Sequence, residues 1–109
     1  MITWSDFEKV EICTGTIMEV RPFPKAKKPA YQLTIDFGEL GIKRSSAQIT
    51  DLYSMEALLG KQILAVVNFP PKQIANFISE CLVLGVISDN NNVVLLATEQ
   101  RVKNGMRVS

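Results

Sequence analysis

From Val10 onward, apolar and small residues alternate with polar ones: Val10, Ile12, Thr14, Thr16, Met18 and Val20 fall on one face. Glu11, Cys13, Glu19 and Arg21 fall mainly on the other. A period of two predicts a long half-buried strand. Gly15 in its middle marks a bend or a close backbone approach. Tyr31, Leu33, Ile35 and Phe37 then alternate with Gln32, Thr34 and Asp36 and predict a second strand. Gly38-Glu39-Leu40-Gly41 turns the chain into a third strand from Ile42, whose run Lys43-Arg44-Ser45-Ser46-Ala47-Gln48-Ile49 is unusually polar. A fourth strand spans Lys61 to Asn68 around the core run Ile63 to Val67. A fifth spans Cys81 to Ile87, and a sixth, Val93 to Ala97, follows the turn Asp89 to Asn92. Asn104-Gly105 offers a last hairpin turn.

Two short helices interrupt this pattern. Ser5 or Asp6 is placed to cap one over Phe7 to Lys9. Ser54 to Leu59 reads as another, presenting Met55, Leu58 and Leu59 and stopped by Gly60. Pro22, Pro24 and Pro29 bracket a loop and deny it regular ladder bonds, so it should project as a stiff surface segment. Three strands, a short helix, then two strands is the order of an OB barrel. The expected fold is therefore all-β: a five-stranded OB-fold barrel with short helices and extra C-terminal strands, one domain over residues 1–109. The middle helix should plug one barrel end. Full burial of each of its three apolar side chains would contribute ~1.5–3 kcal/mol.

Composition narrows the function. With 109 residues, nearly half of them hydrophobic, the chain suits one domain that folds without staples. No apolar stretch approaches the ~18 residues of a membrane span. The segment Met1 to Asp6 lacks the basic start and apolar block of a signal peptide, so a cytoplasmic protein without membrane insertion is expected. Net charge is +1. Acid-free runs nevertheless occur at Arg21 to Lys28, between Glu56 and Glu80, and after Glu99. Each is either part of a local positive patch or a set of solvated cations.

Cys13 and Cys81 form no CxxC spacing and there is no histidine, which argues against a zinc site and for two reduced, buried thiols. Without histidine the usual base and the usual triads are unavailable. No glycine-rich phosphate loop is present and no two of the eleven acids are adjacent. Cys13 has outward parity on the first strand, but nothing beside it would activate a thiol. The chain reads as a non-enzymatic binding domain with no cofactor.

The segment that stands out is Asn68-Phe69-Pro70-Pro71-Lys72-Gln73-Ile74-Ala75-Asn76-Phe77-Ile78-Ser79-Glu80. An apolar strand delivers the amide Asn68, two prolines expose Phe69, and Ile74, Phe77 and Ile78 follow in a loop. Apolar contacts beside a few convergent hydrogen-bonding groups make a binding pocket. The alternative is that the aromatics roof the barrel and Asn68 satisfies a turn. Lys43, Arg44, Ser45 and Gln48 on the polar third strand supply donors where OB barrels carry ligand contacts, or else form a solvated face.

Asp6 to Ile17 resembles the opening of the tRNA-binding OB-domain family, free-standing dimeric tRNA-binding proteins and appendages of some aminoacyl-tRNA synthetases. The match continues through Ile35-Asp36-Phe37-Gly38 and Ile42 to Ile49. It is strongest at Val66 to Ala75 and Ser79 to Gly85. The forms Ser-Ser-Ala-Gln-Ile-Thr and Val-Val-Asn-Phe-Pro-Pro are similar to a bacterial secretion-chaperone branch of that family. The resemblance implies a cytosolic homodimer that holds unfolded export precursor polypeptides and assists the secretion translocase, the alternative being a structure-specific tRNA-binding protein.

It also implies that Asn68, Phe69, Pro71, Lys72, Ile74, Phe77, Ser79 and Glu80, with Lys43, Arg44, Ser45 and Gln48 beside them, form a peptide- or tRNA-binding site. Cys81-Leu82 stands where tight tRNA binders have Gly-Met, Ile78 where a basic residue is common, and Asn76 where glycine is common. Each departure removes a cation or backbone freedom and favours an apolar peptide site. Asn68 and Ser79 would then bond the client backbone. Phe7 and Ile17, off the core parity, and the apolar terminal strand ending at Val108 are hints of dimerisation.

Overall fold

A computed structural model describes all residues, 1–109. Its helix α1 (Trp4–Glu8) begins one residue after Thr3, not at Phe7: Thr3 Oγ1 accepts from the Asp6 N–H and Asp6 Oδ2 accepts from the Thr3 N–H. The reciprocal pair satisfies two otherwise orphaned donors, which a cap at Ser5 or Asp6 would not do.

Strand β1 (Ile12–Pro22) pairs antiparallel with β2 (Tyr31–Asp36) along one edge and with β4 (Gln62–Val66) along the other. The sheet is completed by β3 (Ile42–Ala47) against β2 and β7 (Leu82–Val83) against β4, in the order β3-β2-β1-β4-β7. This is a nearly closed five-stranded antiparallel barrel of the OB type. Further short strands form where the sequence suggested a loop or one continuous strand. β5 (Lys72–Ile74) and β6 (Phe77–Ser79) form a hairpin after the two prolines. β8 (Gly85–Ile87) leaves the barrel at Leu84 to pair with β9 (Val93–Leu95).

The first strand departs from the simple alternation. Thr16 pairs with Asp36 and Ile17 with Ile35, but Glu19 pairs with Thr34, so Met18 is an extra residue in β1. Such a bulge reverses which face later residues occupy. Cys13, Gly15 and Ile17 therefore point into the core before it and Val20 packs inward after it, while Met18 is exposed. The expected inward face of Thr14, Thr16 and Met18 is thus corrected, and so is the outward placing of Cys13. Thr14 is buried from outside, by the C-terminal segment: its hydroxyl donates to the Lys103 carbonyl at 2.9 Å and accepts from the Met106 N–H.

Gly15 allows the close approach its position predicted. A Cβ there would lie 2.6 Å from the Phe37 ring and 2.7 Å from Ile35. Around it the core gathers Ile17, Leu33, Ile35, Phe37, Ile63 and Leu58. Helix α2 (Met55–Leu58), capped by Ser54, plugs the barrel with Leu58 alone; Met55 and Leu59 face outward. A four-residue helix has one apolar position to spend on the barrel mouth.

A smaller cluster outside the barrel joins Phe23, Ala30 and Phe77, with Ala26 and Ile74 against them. The Phe23 and Phe77 rings are 5.4 Å apart, at a tilt. The proline-bracketed loop is therefore pinned to the β5–β6 hairpin instead of projecting freely.

Candidate functional site

The barrel's last seam lies between β3 and residues 79–81, and side chains close most of it. The Glu80 N–H donates to the Arg44 carbonyl at 2.7 Å, and the Arg44 N–H donates back to Glu80 Oε1 at 2.9 Å. The Ser46 N–H donates to Ser79 Oγ, and the Ser45 hydroxyl donates to the Cys81 carbonyl. An open strand edge presents unpaired donors. Here a carboxylate and a hydroxyl satisfy two of them. Ser79 and Glu80 thus hold the barrel shut, and Ser45, with 0% of its surface exposed, is unavailable to any ligand.

Asn68 is likewise committed to architecture. The β1–β4 ladder continues past Val66 with the Val67 N–H donating to the Glu11 carbonyl. Phe69-Pro70-Pro71 ends the strand there, and the Asn68 side chain takes over. Its Nδ2 donates to the Lys9 carbonyl at 2.7 Å and its Oδ1 accepts from the Glu11 N–H at 3.0 Å. The expected bond to a client backbone is therefore replaced by a clamp on the entry to β1. Phe77 is corrected in the same way: only 2% exposed, it has its ring packed on Phe23 and covered by the Arg44 guanidinium at 4.4 Å.

What remains open is a cleft of about 560 Å³ between the β5–β6 hairpin and β7. Phe69, Pro71, Ile74 and Leu82 supply its apolar wall. Lys72, Glu80, Ser46 and Ser79 supply its polar one, with Pro70 and Cys81 completing the lining. Phe69 is 54% exposed, as the paired prolines suggested. Six of the predicted residues meet here: Phe69, Pro71, Lys72, Ile74, Ser79 and Glu80. Gln48 lies in a neighbouring cleft, described below, and Lys43 is half-buried at the start of β3 on the parity of Ser45. Leu82 and Ser46 were not foreseen as lining. Leu82 lies in the expected fifth strand, and it is exposed because β7 lies at the sheet's end.

The thiol at the cleft's base is inert. Burial pushes Cys81 up to about 11, against a weaker opposing effect of the Ser45 hydrogen bond. Burial also raises the Cys13 thiol. Neither provides a thiolate at neutral pH.

Barrel, plug helix and an open cleft beside the connection between the last two barrel strands define an OB-type binding domain. The chain belongs to the tRNA-binding domain family: the family model described as "Putative tRNA binding domain" matches residues 12–107.

Within that family, the chaperone CsaA of Bacillus anthracis str. Ames has a crystal structure with a TM-score of 0.95 at 49% identity, over 100% of this chain and 99% of that one. The CsaA chaperone protein of Picrophilus torridus also gives 0.95, at 53% identity and full coverage of both chains. The methionine–tRNA ligase of Methanococcoides burtonii is 30% identical over 105 residues, 96% of this chain. The chain spans 15% of that ligase's length, so the segment they share is the tRNA-binding domain and not the whole enzyme.

Proposed function

We propose that this chain is a non-catalytic polypeptide-binding chaperone of the cytoplasm that holds unfolded export precursors for secretion. The observation that carries the reading is the cleft wall of Phe69, Pro71, Ile74 and Leu82, apolar surface left open beside polar groups at its rim. Apolar side chains of an unfolded segment would bury there, each contributing ~25 cal/mol per Å² removed from water. Similarity to two CsaA chaperones at about half identity supports it. Holding and release are passive, with no nucleotide involved.

A homodimer fits a second apolar surface, formed by helix α1 and the C-terminal segment. Helix α1 buries none of its own residues, and Ile2, Trp4 and Phe7 stand exposed or half-exposed beside Val108. An apolar patch built from both chain ends is a surface that a second copy would cover. Scattering mass in solution tests this, with Trp4→Lys expected to yield monomer.

The test of the cleft is suppression of aggregation of a denatured client by Phe69→Ala/Leu82→Ala. Both side chains are about half exposed, so the barrel should remain intact. Suppression equal to that of the parent protein sinks the chaperone reading. The second reading, tRNA binding, is favoured by the family match and by unpaired lysines on the 22–30 loop. Its mark is a log–log salt slope of ~0.7–0.9 per phosphate neutralised.

A further inference from the structure

The β5–β6 hairpin has a second face. On the side away from Phe69 lies another cleft, of about 590 Å³, between the hairpin and the loop pinned to it by Phe23 and Ala30. Lys25, Lys27, Lys28 and Lys72 line it together with Gln48 and Gln73, and no acidic residue does. None of those four lysines is in an ion pair. In a chain of net charge +1, a gathering of four unopposed cations in one cleft is a local feature. It exists because the apolar cluster Phe23–Ala30–Phe77 draws the basic loop against Lys72. The two clefts adjoin: Ser46, Lys72 and Ile74 line both.

We infer that the preferred client is a polypeptide segment in which an apolar residue is flanked by acidic ones, the apolar side chain seating beside Phe69 and the carboxylates reaching the lysines across the hairpin. This rests on the polypeptide-binding reading above and names the chemistry that the site selects. A strand of nucleic acid is the other polyanion to weigh. Sequence-tolerant binding of single strands relies on aromatic faces for base stacking. Phe69 is the one aromatic lining either cleft, while Phe23 and Phe77 spend their faces on each other and on Arg44. Aliphatic and proline walls suit peptide side chains better.

The test compares fluorescein-labelled peptides sharing one Leu-Phe-Leu core and differing in their flanks: aspartates, serines or lysines. Binding to the intact protein is followed by anisotropy at low and high salt. The aspartate-flanked peptide should bind roughly tenfold more tightly than the serine-flanked one, the sum of two or three exposed charge pairs. The lysine-flanked peptide should bind more weakly than either. High salt should erase the difference, and so should Lys25→Gln/Lys27→Gln/Lys28→Gln, without weakening the serine-flanked peptide. These lysines are exposed and outside both cores, so the triple variant should fold normally.

Equal binding of aspartate- and serine-flanked peptides overturns this inference alone. Failure of every peptide to bind overturns the chaperone reading and the inference with it. An oligouridylate that binds the lysine cleft, with no gain from aspartate flanks, assigns that cleft to nucleic acid and overturns the inference too.

Discussion

Asn68 offers the sharpest separation between a residue that binds and one that builds. Its amide bridges the Lys9 carbonyl and the Glu11 N–H, extending the β1–β4 ladder by one side chain after the prolines stop the strand. Asn68→Ala removes both bonds. Each is worth ~0.5–1.5 kcal/mol net. The site is exposed, so water will rescue part of the loss, and we expect about 1–2 kcal/mol. For a domain of this size that lowers the melting temperature by roughly 4–8 °C.

Asn68→Asp retains the acceptor for Glu11 but sets a carboxylate against the Lys9 carbonyl, and should cost at least as much as alanine. Thermal melts and urea titrations measure the loss, while peptide affinity is measured well below the melting transition. The expected pattern is lower stability with unchanged affinity. If Asn68→Ala melts like the parent protein and binds peptide tenfold more weakly, the amide is a ligand contact and the clamp argument is wrong.

Other substitutions probe the core and the thiol. Gly15→Ala should cost ~1–3 kcal/mol by overpacking, since the new methyl meets Phe37 at 2.6 Å, and a fall in the urea midpoint with unchanged slope would show it. Leu58→Ala should cost ~2–5 kcal/mol, whereas Leu59→Ala, at the exposed position just after the helix, should stay within ~0.5 kcal/mol. For Cys81 the folded thiol is raised to about 11, so the fold favours the neutral form. That contribution is fully present below the unfolded value and is lost as pH rises from 9 to 11, at up to roughly 1.4 kcal/mol per pH unit. Urea midpoints of Cys81→Ala should therefore fall less steeply across that window than those of the parent protein.

Local pattern alone determined a good deal of this molecule. Alternation at Tyr31 to Phe37, the apolar run Ile63 to Val67 and the glycine-stopped helix at 55–58 specify strands and plug, because a pleated half-buried strand and a short amphipathic helix impose their own periods. The order of those elements leads to the barrel. Phe69 was legible as exposed because two prolines end its strand, and its neighbours Pro71, Lys72 and Ile74 line the same cleft.

Tertiary structure decided the rest, wherever the partner of a group lies far along the chain. The extra residue at Met18 reverses the face of β1 only by reference to β2. Asn68 meets the backbone of residues 9 and 11, and Glu80 and Ser79 meet the edge of β3; nothing near them in sequence reveals that these polar side chains are already spent. Phe77 and Phe23, fifty-four positions apart, are sealed against each other and thereby bring the lysines together. Periodicity reports which face a side chain is on, but hydrogen-bond satisfaction and loop docking depend on contacts that only the closed barrel creates.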